Sequence, residues 1–341
     1  LPILSNVLLR VQGDQLSMTS TDMELEMIAT LPVSVEEEGK TTVSARKLLD
    51  IVRALPGNAT ISVNASEGKA LVKAGKSRFS LATLSSDDFP DSEGANYMDE
   101  ISLPQSALKS LLDETSFAMA SQDVRYYLNG LLLERDDTTL RAVATDGHRL
   151  ALGSLTTSTP VSEKNSVIVP RKAIIELGRL LNDSDDTVKV AFSNQQIKVE
   201  LPDIHFTSKL IDGQFPNYER VLPLGGDKEV LADRDELKQA LSRAAILSND
   251  KHRSVRINLE TDQLKATVTN QEQESAEEEI SVDYKGAPLE IAFNNAYLLD
   301  LLNAIPDNQV KLLFTDETSS ALVTPADEKF ERQYVVMPMR L

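Results

Sequence analysis

The chain has 341 residues, 41% hydrophobic and 26% charged, which suits two or three ordinary domains with cores of their own. It has no cysteine, so disulfides, thiol nucleophiles and thiolate metal sites are excluded, and no apolar run reaches the roughly 18 residues of a membrane-spanning helix. The start LPILSN lacks the basic-then-apolar order of a signal peptide, so a cytoplasmic location is expected, and a net charge of −18 argues against nucleic-acid binding through wholesale phosphate neutralisation.

In chain order, a strand leads through Asn6 to LSMTSTD, which ends at Asp22. SARKLLDIV from Ser44 has helical periodicity and carries Arg46 and Arg53 on one face. ATISVNASEGKALVKAGKSRFSLATL alternates, with turn residues between Asn64 and Gly68 and at Gly75, the pattern of antiparallel hairpins. An acidic stretch with Pro90 and Gly94 then marks a boundary near residue 98. ISLPQSALKSLLDETSFAMAS follows as a strand and an amphipathic helix, with Pro104 at a first helical position and Leu108, Leu111 and Leu112 as the apolar stripe.

SQDVRYYLNG puts Gln122, Arg125, Tyr126 and Tyr127 at a loop and strand start, a mix suited to phosphates and base stacking, although the tyrosines serve equally well as core. The helix PRKAIIEL from Pro170 repeats the earlier basic spacing as Lys172 and Arg179. A flexible joint stands at Gly225 and Gly226. EVLADRDELKQALSRAAILS gives another strand and helix, with Arg234, Lys238 and Arg243, and NNAYLLDLLNAI from Asn294 gives a last helix without a basic residue. The terminal VVMPMRL reads either as an adaptable, Met-lined groove for partner peptides or as a last edge strand.

These elements repeat. LSMTSTD, LRAVATD and LKATVTN end at Asp22, Asp146 and Asn270, at steps of 124 and 124. The helix openings align Arg46, Arg171 and Asn295, and the closing turns Phe89-Pro90, Phe215-Pro216 and Met337-Pro338 keep nearly the same period. A period this long is a whole domain, which predicts three copies at 1–98, 99–225 and 226–341, each with its own core. Copy one lacks the opening strand and helix of its sisters, so a segment of roughly 25 residues is expected ahead of Leu1.

The most enzyme-like constellation is TDGHR, where Asp146 and His148 suggest an acid–base pair or metal ligands. The matching positions in the other copies are Asp22 with Glu24 and Asn270 with Glu272, so the histidine is not part of a repeated site. His205 and His252 lie far away in sequence, without ligand spacing. Acidic runs at 36–38 and 277–279 read as solvated faces. No catalytic centre, cofactor or metal is expected.

The triplicated domain, together with QDVRYYLNG (122–130), TDGHRLA (145–151), FPNYERVLP (215–223) and terminal YVVMPMRL, resembles the bacterial DNA polymerase III beta sliding clamp family. The resemblance implies an α+β fold of three clamp domains, each with two helices on the inner side and antiparallel sheets outside. Two subunits would close head to tail into a ring around duplex DNA. It implies DNA contacts at Arg46, Arg53, Arg78, Gln122, Tyr126, Tyr127, Arg171 and Lys172. It places a pocket for the short clamp-binding motif of the replicative DNA polymerase, the clamp loader and other partners at Arg125, Leu128, Thr145, Gly147, His148, Arg149, Leu150, Pro216, Arg220, Val221, Asn294, Tyr297, Val335, Val336, Met337, Pro338, Met339 and Arg340.

The same resemblance implies a subunit interface pairing Lys47, Phe79 and Leu81 with Arg243, Ile246, Leu247, Glu272, Glu274, Glu277 and Glu278. A ring holds DNA by topology, so a weakly attractive inner face suffices and the acidic balance is no obstacle. The rival readings are a peptide-binding scaffold that does not encircle DNA and a metal-dependent hydrolase using Asp146 and His148.

Overall fold

The computed structural model describes residues 1–90, 94–97, 99–161, 163–223, 225–248, 253–327 and 331–340; His252 and the boundary residue Met98 lie outside them. Copy one supplies β1 (Asn6–Gln12), β2 (Gln15–Thr21), β3 (Leu25–Pro32), β4 (Gly39–Ser44), α1 (Ala45–Ala54), β5 (Ser62–Ser66), β6 (Lys69–Ala74) and β7 (Ser77–Leu84). Copy two supplies β8 (Asp99–Pro104), α2 (Gln105–Asp113), β9 (Gly130–Asp136), β10 (Thr139–Thr145), β11 (Arg149–Thr156), β12 (Asn165–Pro170), α3 (Arg171–Leu180), β13 (Thr187–Phe192), β14 (Gln196–Glu200) and β15 (Ile204–Lys209). Copy three repeats that order as β16 (Lys228–Asp233), α4 (Arg234–Ala244), β17 (Ser254–Glu260), β18 (Gln263–Thr269), β19 (Ser275–Ser281), β20 (Leu289–Asn294), α5 (Asn295–Ala304), β21 (Gln309–Phe314), β22 (Ala321–Pro325) and β23 (Arg332–Val336).

Local chemistry sets the helix starts. Ser44 caps α1 by accepting the Lys47 N–H, Asp233 caps α4 through the Glu236 N–H, and Asn294 caps α5 through the Ala296 N–H. Pro104 stands at the cap of α2 with extended backbone, one residue earlier than expected, because it still closes strand β8. The caps Ser44, Pro170 and Asn294 are the true equivalents. The expected match of Arg46 to Arg171 therefore shifts by one residue: Ala45, Arg171 and Asn295 share the first helical position, and Arg46 corresponds to Lys172.

The chain folds as two compact units, Leu1–Ser102 with Asp186–Leu210, and Leu103–Asp185 with Ile211–Leu341. The first carries a sheet ordered β5-β6-β7-β4-β1-β2-β3-β15-β14-β13-β8. Its core gathers Val7, Leu9, Val43, Ala70, Val72 and Leu81, with Leu48, Ile51 and Phe79 packed against them. In the second unit one sheet runs β12-β9-β10-β11-β23-β22-β21-β16 and another β19-β18-β17-β20.

These units cut across the sequence copies because strands pair across copy boundaries. β3 of copy one takes β15 of copy two, from Leu25↔Ser208 to Ala29↔Ile204. β11 of copy two takes β23 of copy three, from Arg149↔Val336 to Gly153↔Arg332. The third member of the series, β19, is the terminal strand of its sheet.

Candidate functional site

The TDGHR segment is a hairpin turn between β10 and β11, built by its own side chains. Thr145 Oγ1 donates to the Arg149 carbonyl (2.6 Å) and accepts the Gly147 N–H (3.1 Å). Asp146 Oδ1 accepts the N–H groups of His148 (2.9 Å) and Arg149 (3.1 Å). Copy one repeats the turn: Thr21 Oγ1 donates to the Leu25 carbonyl (2.7 Å), and Asp22 Oδ1 accepts from Glu24 (2.9 Å) and Leu25 (2.8 Å). In copy three Asn270 Oδ1 accepts from Glu274 (2.8 Å), so that turn is one residue longer and Glu272 is not the counterpart of His148.

The repeated acid is thus a turn-former. The other oxygen of Asp146 takes Arg149 Nε at 3.1 Å, which commits the carboxylate internally and removes the acid–base reading. Gly147 has φ +89°, the left-handed region that favours glycine and that Met23 occupies in the copy-one turn (φ +76°), and its missing Cβ leaves room for the Arg125 guanidinium, whose Nη1 would lie 2.9 Å from it.

Around this turn lies a ring of oriented cations and aromatics. Arg149 pairs with Asp300, donates to the Phe117 carbonyl (3.2 Å), and lies 4.5 Å from the Tyr297 ring centre. The His148 ring stacks on the same tyrosine, centroids 6.2 Å apart. Arg125 holds Asp123 in a two-point clasp (3.0 and 2.8 Å) and reaches the Asp146 carbonyl (3.2 Å). That guanidinium, hydrogen-bonded to the carboxylate, lowers the Asp123 pKa to about 2. No motif in the sequence marks Asp123, Asp300 or Phe117. Asp123 is legible as a near neighbour of Arg125 and Asp300 as a one-turn neighbour of Tyr297, whereas Phe117 carries no signal.

Beneath the turn, Leu150 and Val335 join Leu132, Val143, Leu152, Ile168 and Tyr218 in one apolar cluster, edged by Tyr127, Phe215, Leu222 and Leu322. Leu128, Leu150, Val335 and Val336, expected as pocket residues, are all buried. Of the other residues expected there, Arg125, Gly147, His148, Pro216, Arg220, Val221, Met337, Met339 and Arg340 are exposed, and Thr145, Arg149, Asn294, Tyr297 and Pro338 are half-buried. The tail is docked: β23 lies between β11 and β22, so it is an interior strand and not the edge strand considered above. The Met337 N–H then donates to the His148 carbonyl (3.0 Å) and the Met339 N–H to Ala292 (2.7 Å). Two exposed methionines on the segment that follows β23, with a buried apolar cluster and exposed arginines on the neighbouring elements, supply side chains suited to a short peptide with apolar anchors.

The expected DNA contacts divide. Arg46, loosely paired to Asp50 at 3.3 Å, and Arg53 are exposed on α1, and Lys172 is exposed on α3. Arg171 instead donates to the Met119 carbonyl beyond α2 (3.0 Å), just as Asn295 Nδ2 donates to Leu241 on α4 (2.9 Å). Gln122 (φ +57°) and Tyr126 are exposed, while Tyr127 packs on the apolar cluster. Arg78 lies on β7 directly opposite Lys73.

Among the expected interface residues, Lys47 is exposed on α1, Phe79 packs onto the core of the first unit and Leu81 lies inside it. Arg243 grips Glu278 through two bonds (2.9 and 2.7 Å), Glu277 pairs with Lys265 (2.7 Å), and Glu274 accepts from Asn270 Nδ2 (2.6 Å). Glu272 is exposed, Leu247 is half-buried and Ile246 is 77% exposed.

Three family models match the chain, described as the N-terminal, central and C-terminal domains of the DNA polymerase III beta subunit, over residues 1–93, 102–217 and 219–340. The beta sliding clamp of Pseudomonas putida is 53% identical over 342 residues, covering 100% of this chain and 93% of that protein. A DNA polymerase sliding clamp from Pseudomonas aeruginosa, solved with a ligand, matches with TM-score 0.97 and 52% identity over 100% of this chain and 93% of its own. A sliding clamp from the same organism bound to griselimycin matches with TM-score 0.97 and 52% identity, over 100% and 92%.

Proposed function

Since the chain belongs to the DNA polymerase III beta subunit family, the bacterial beta sliding clamps, and is a replication processivity factor with no reaction of its own, we propose how its surfaces divide that work. Two copies close head to tail around duplex DNA in the cytoplasm. Partner proteins, among them the replicative polymerase and the clamp loader, dock a short motif at the site around His148 and Met337. A Pseudomonas aeruginosa clamp binds griselimycin, and we infer that this chain takes the same ligand at the site around His148 and Met337.

The observation that supports closure is the repeated strand junction. β3 takes β15 and β11 takes β23, whereas β19 ends its sheet and β7, the counterpart of β15 and β23, meets β4 only through Thr83 and Leu84. The open side of β7 in one copy and the open edge of β19 in another complete the series, and a head-to-tail contact that repeats around an axis closes into a ring.

Repeating the junction register sets Glu274 opposite Leu81 or Ala82 and brings Glu277 within a residue of Arg78 and Phe79. Arg78 then serves the seam and not the DNA, opposite the acidic edge. Ile246 and Leu247 supply its apolar part. Arg46, Arg53, Gln122, Tyr126 and Lys172 touch the DNA, while Arg171 and Tyr127 hold the backbone that presents them.

The retention experiment separates a ring from a phosphate binder. Loaded protein should stay on circular DNA in high salt and leave once that DNA is linearised; release from intact circles by salt alone would end the ring reading. Mass in solution decides the scaffold alternative, because a strictly monomeric chain cannot encircle DNA.

A further inference from the structure

Below the docking site runs a row of polar side chains that none of these surfaces uses. Glu134 on β9 and Arg141 on β10 are cross-strand partners, as are Arg141 and Ser154 on β11, so the three stand abreast on one face. Arg141 Nη1 donates to Glu134 Oε1 (3.2 Å) and to the Tyr218 hydroxyl (3.1 Å), and its Nε donates to Ser154 Oγ (3.2 Å). Its Nη2 lies 3.6 Å from Glu331 Oε2, which also accepts from Ser154 Oγ (2.7 Å). The Tyr218 hydroxyl donates to Glu134 Oε1 at 2.8 Å, and Lys164 approaches the other Glu134 oxygen at 3.1 Å.

Glu134, Ser154 and Tyr218 are buried, Arg141 is partly so, and Glu331 and Lys164 reach solvent; burying the first three is costly, and an apolar set of equal volume generally stabilises a fold at least as well. What a fork of fixed donors adds is geometry. Tyr218, 5% exposed, opens the short turn Tyr218–Val221, which carries Arg220 and Val221 just after Pro216, one side of the docking site. Its ring sits in the same cluster as Leu150 and Val335. Glu331 leads into β23, which runs directly to Met337 on the other side, and the Glu331 carbonyl accepts the Ser154 N–H at 2.9 Å.

We propose that Arg141 is a positioning residue for partner docking: through Tyr218 and Glu331 it fixes the spacing between the Pro216/Val221 side of the site and the Met337 side. The inference rests on the docking site proposed above. Arg141→Lys keeps the charge but replaces the planar fork with a point donor that cannot serve Glu134, Tyr218 and Glu331 together. Tyr218→Phe keeps the ring and removes only the hydroxyl.

The test is calorimetric titration of the full chain with griselimycin. Both variants should weaken binding by roughly tenfold, the scale of losing an oriented bond to a charged group. Amide exchange should accelerate at 216–222 while the strands β9 to β11 stay protected, a change that general loosening of the fold does not produce. His148→Ala and Met337→Ala, which remove the lining itself, should abolish binding. If these two lose griselimycin while Tyr218→Phe and Arg141→Lys bind within about twofold of wild type, the positioning role is wrong and the docking site stands. If His148→Ala and Met337→Ala bind normally, docking site and positioning role fall together.

Discussion

Glu114 at the end of α2 and Arg332 at the start of β23, 218 residues apart, form a buried ion pair. Arg332 also donates to the Ser154 carbonyl (2.7 Å), and Glu114 takes the Ser110 hydroxyl, so both charges are satisfied. The pair ties a helix of copy two to a strand of copy three. Removing one partner leaves the other charge buried alone: Glu114→Ala should cost about 3–5 kcal/mol, measured by urea unfolding. Exchanging both for apolar residues should cost much less. A Glu114→Ala loss below about 1 kcal/mol would show that water reaches the site.

The Asp146 turn predicts a graded response. Asn270 makes the same kind of bond in copy three, so Asp146→Asn should keep the turn, whereas Asp146→Ala frees two backbone N–H groups and should cost about 1–2 kcal/mol and weaken griselimycin binding. Thermal melts and titration read the two effects. Equal losses in Asn and Ala variants would mean that charge, and not the turn, is what the site needs.

The clasp between Arg125 and Asp123 carries a pH signature. A carboxyl with its pKa lowered to about 2 from an ordinary 3.8 favours the folded state above the ordinary value, and that contribution disappears as the pH falls through about 2. Between pH 5 and 8 the clasp should therefore stay closed. Carbon-detected NMR titration should place the Asp123 midpoint near 2, and Arg125→Ala should return it to about 4. A wild-type midpoint already near 4 would mean that the clasp is open in solution.

Arg171 and Lys172 are adjacent but have different work. Lys172→Ala should lower affinity for a short duplex and reduce the slope of log K against log salt by about 0.9, the signature of one lost phosphate contact. Arg171→Ala should leave that slope unchanged and lower the melting temperature, because it frees the Met119 carbonyl. Anisotropy titrations over a salt series read the first and calorimetry the second. A slope change in Arg171→Ala would restore it to the DNA-facing set.

Much of this molecule is legible in its residue order. The three copies, the hairpins broken at Gly68 and Gly75, the helices after Ser44, Pro170 and Asn294, and the polar turn at Asp146 all follow from bonds between residues a few positions apart. Such bonds form wherever the right side chains are neighbours, so residue order alone settles these elements and their threefold repeat.

Which groups are already committed emerges only once the sheets are assembled. Arg171, Arg149 and Arg243 are expected at the DNA face, the partner pocket and the subunit interface, and each is held within the chain by a group brought in from elsewhere: the Met119 carbonyl, Asp300 and Glu278. Leu128, Val335 and Val336 are expected as pocket lining and are buried, the two valines because β11 takes β23 across more than half the chain. Likewise Arg141 carries no motif, and only the registration of three strands beside the Tyr218 turn makes it a link between two sides of a site. Pairing across such distances depends on how whole sheets align, a property of the folded chain that no local run of residues encodes.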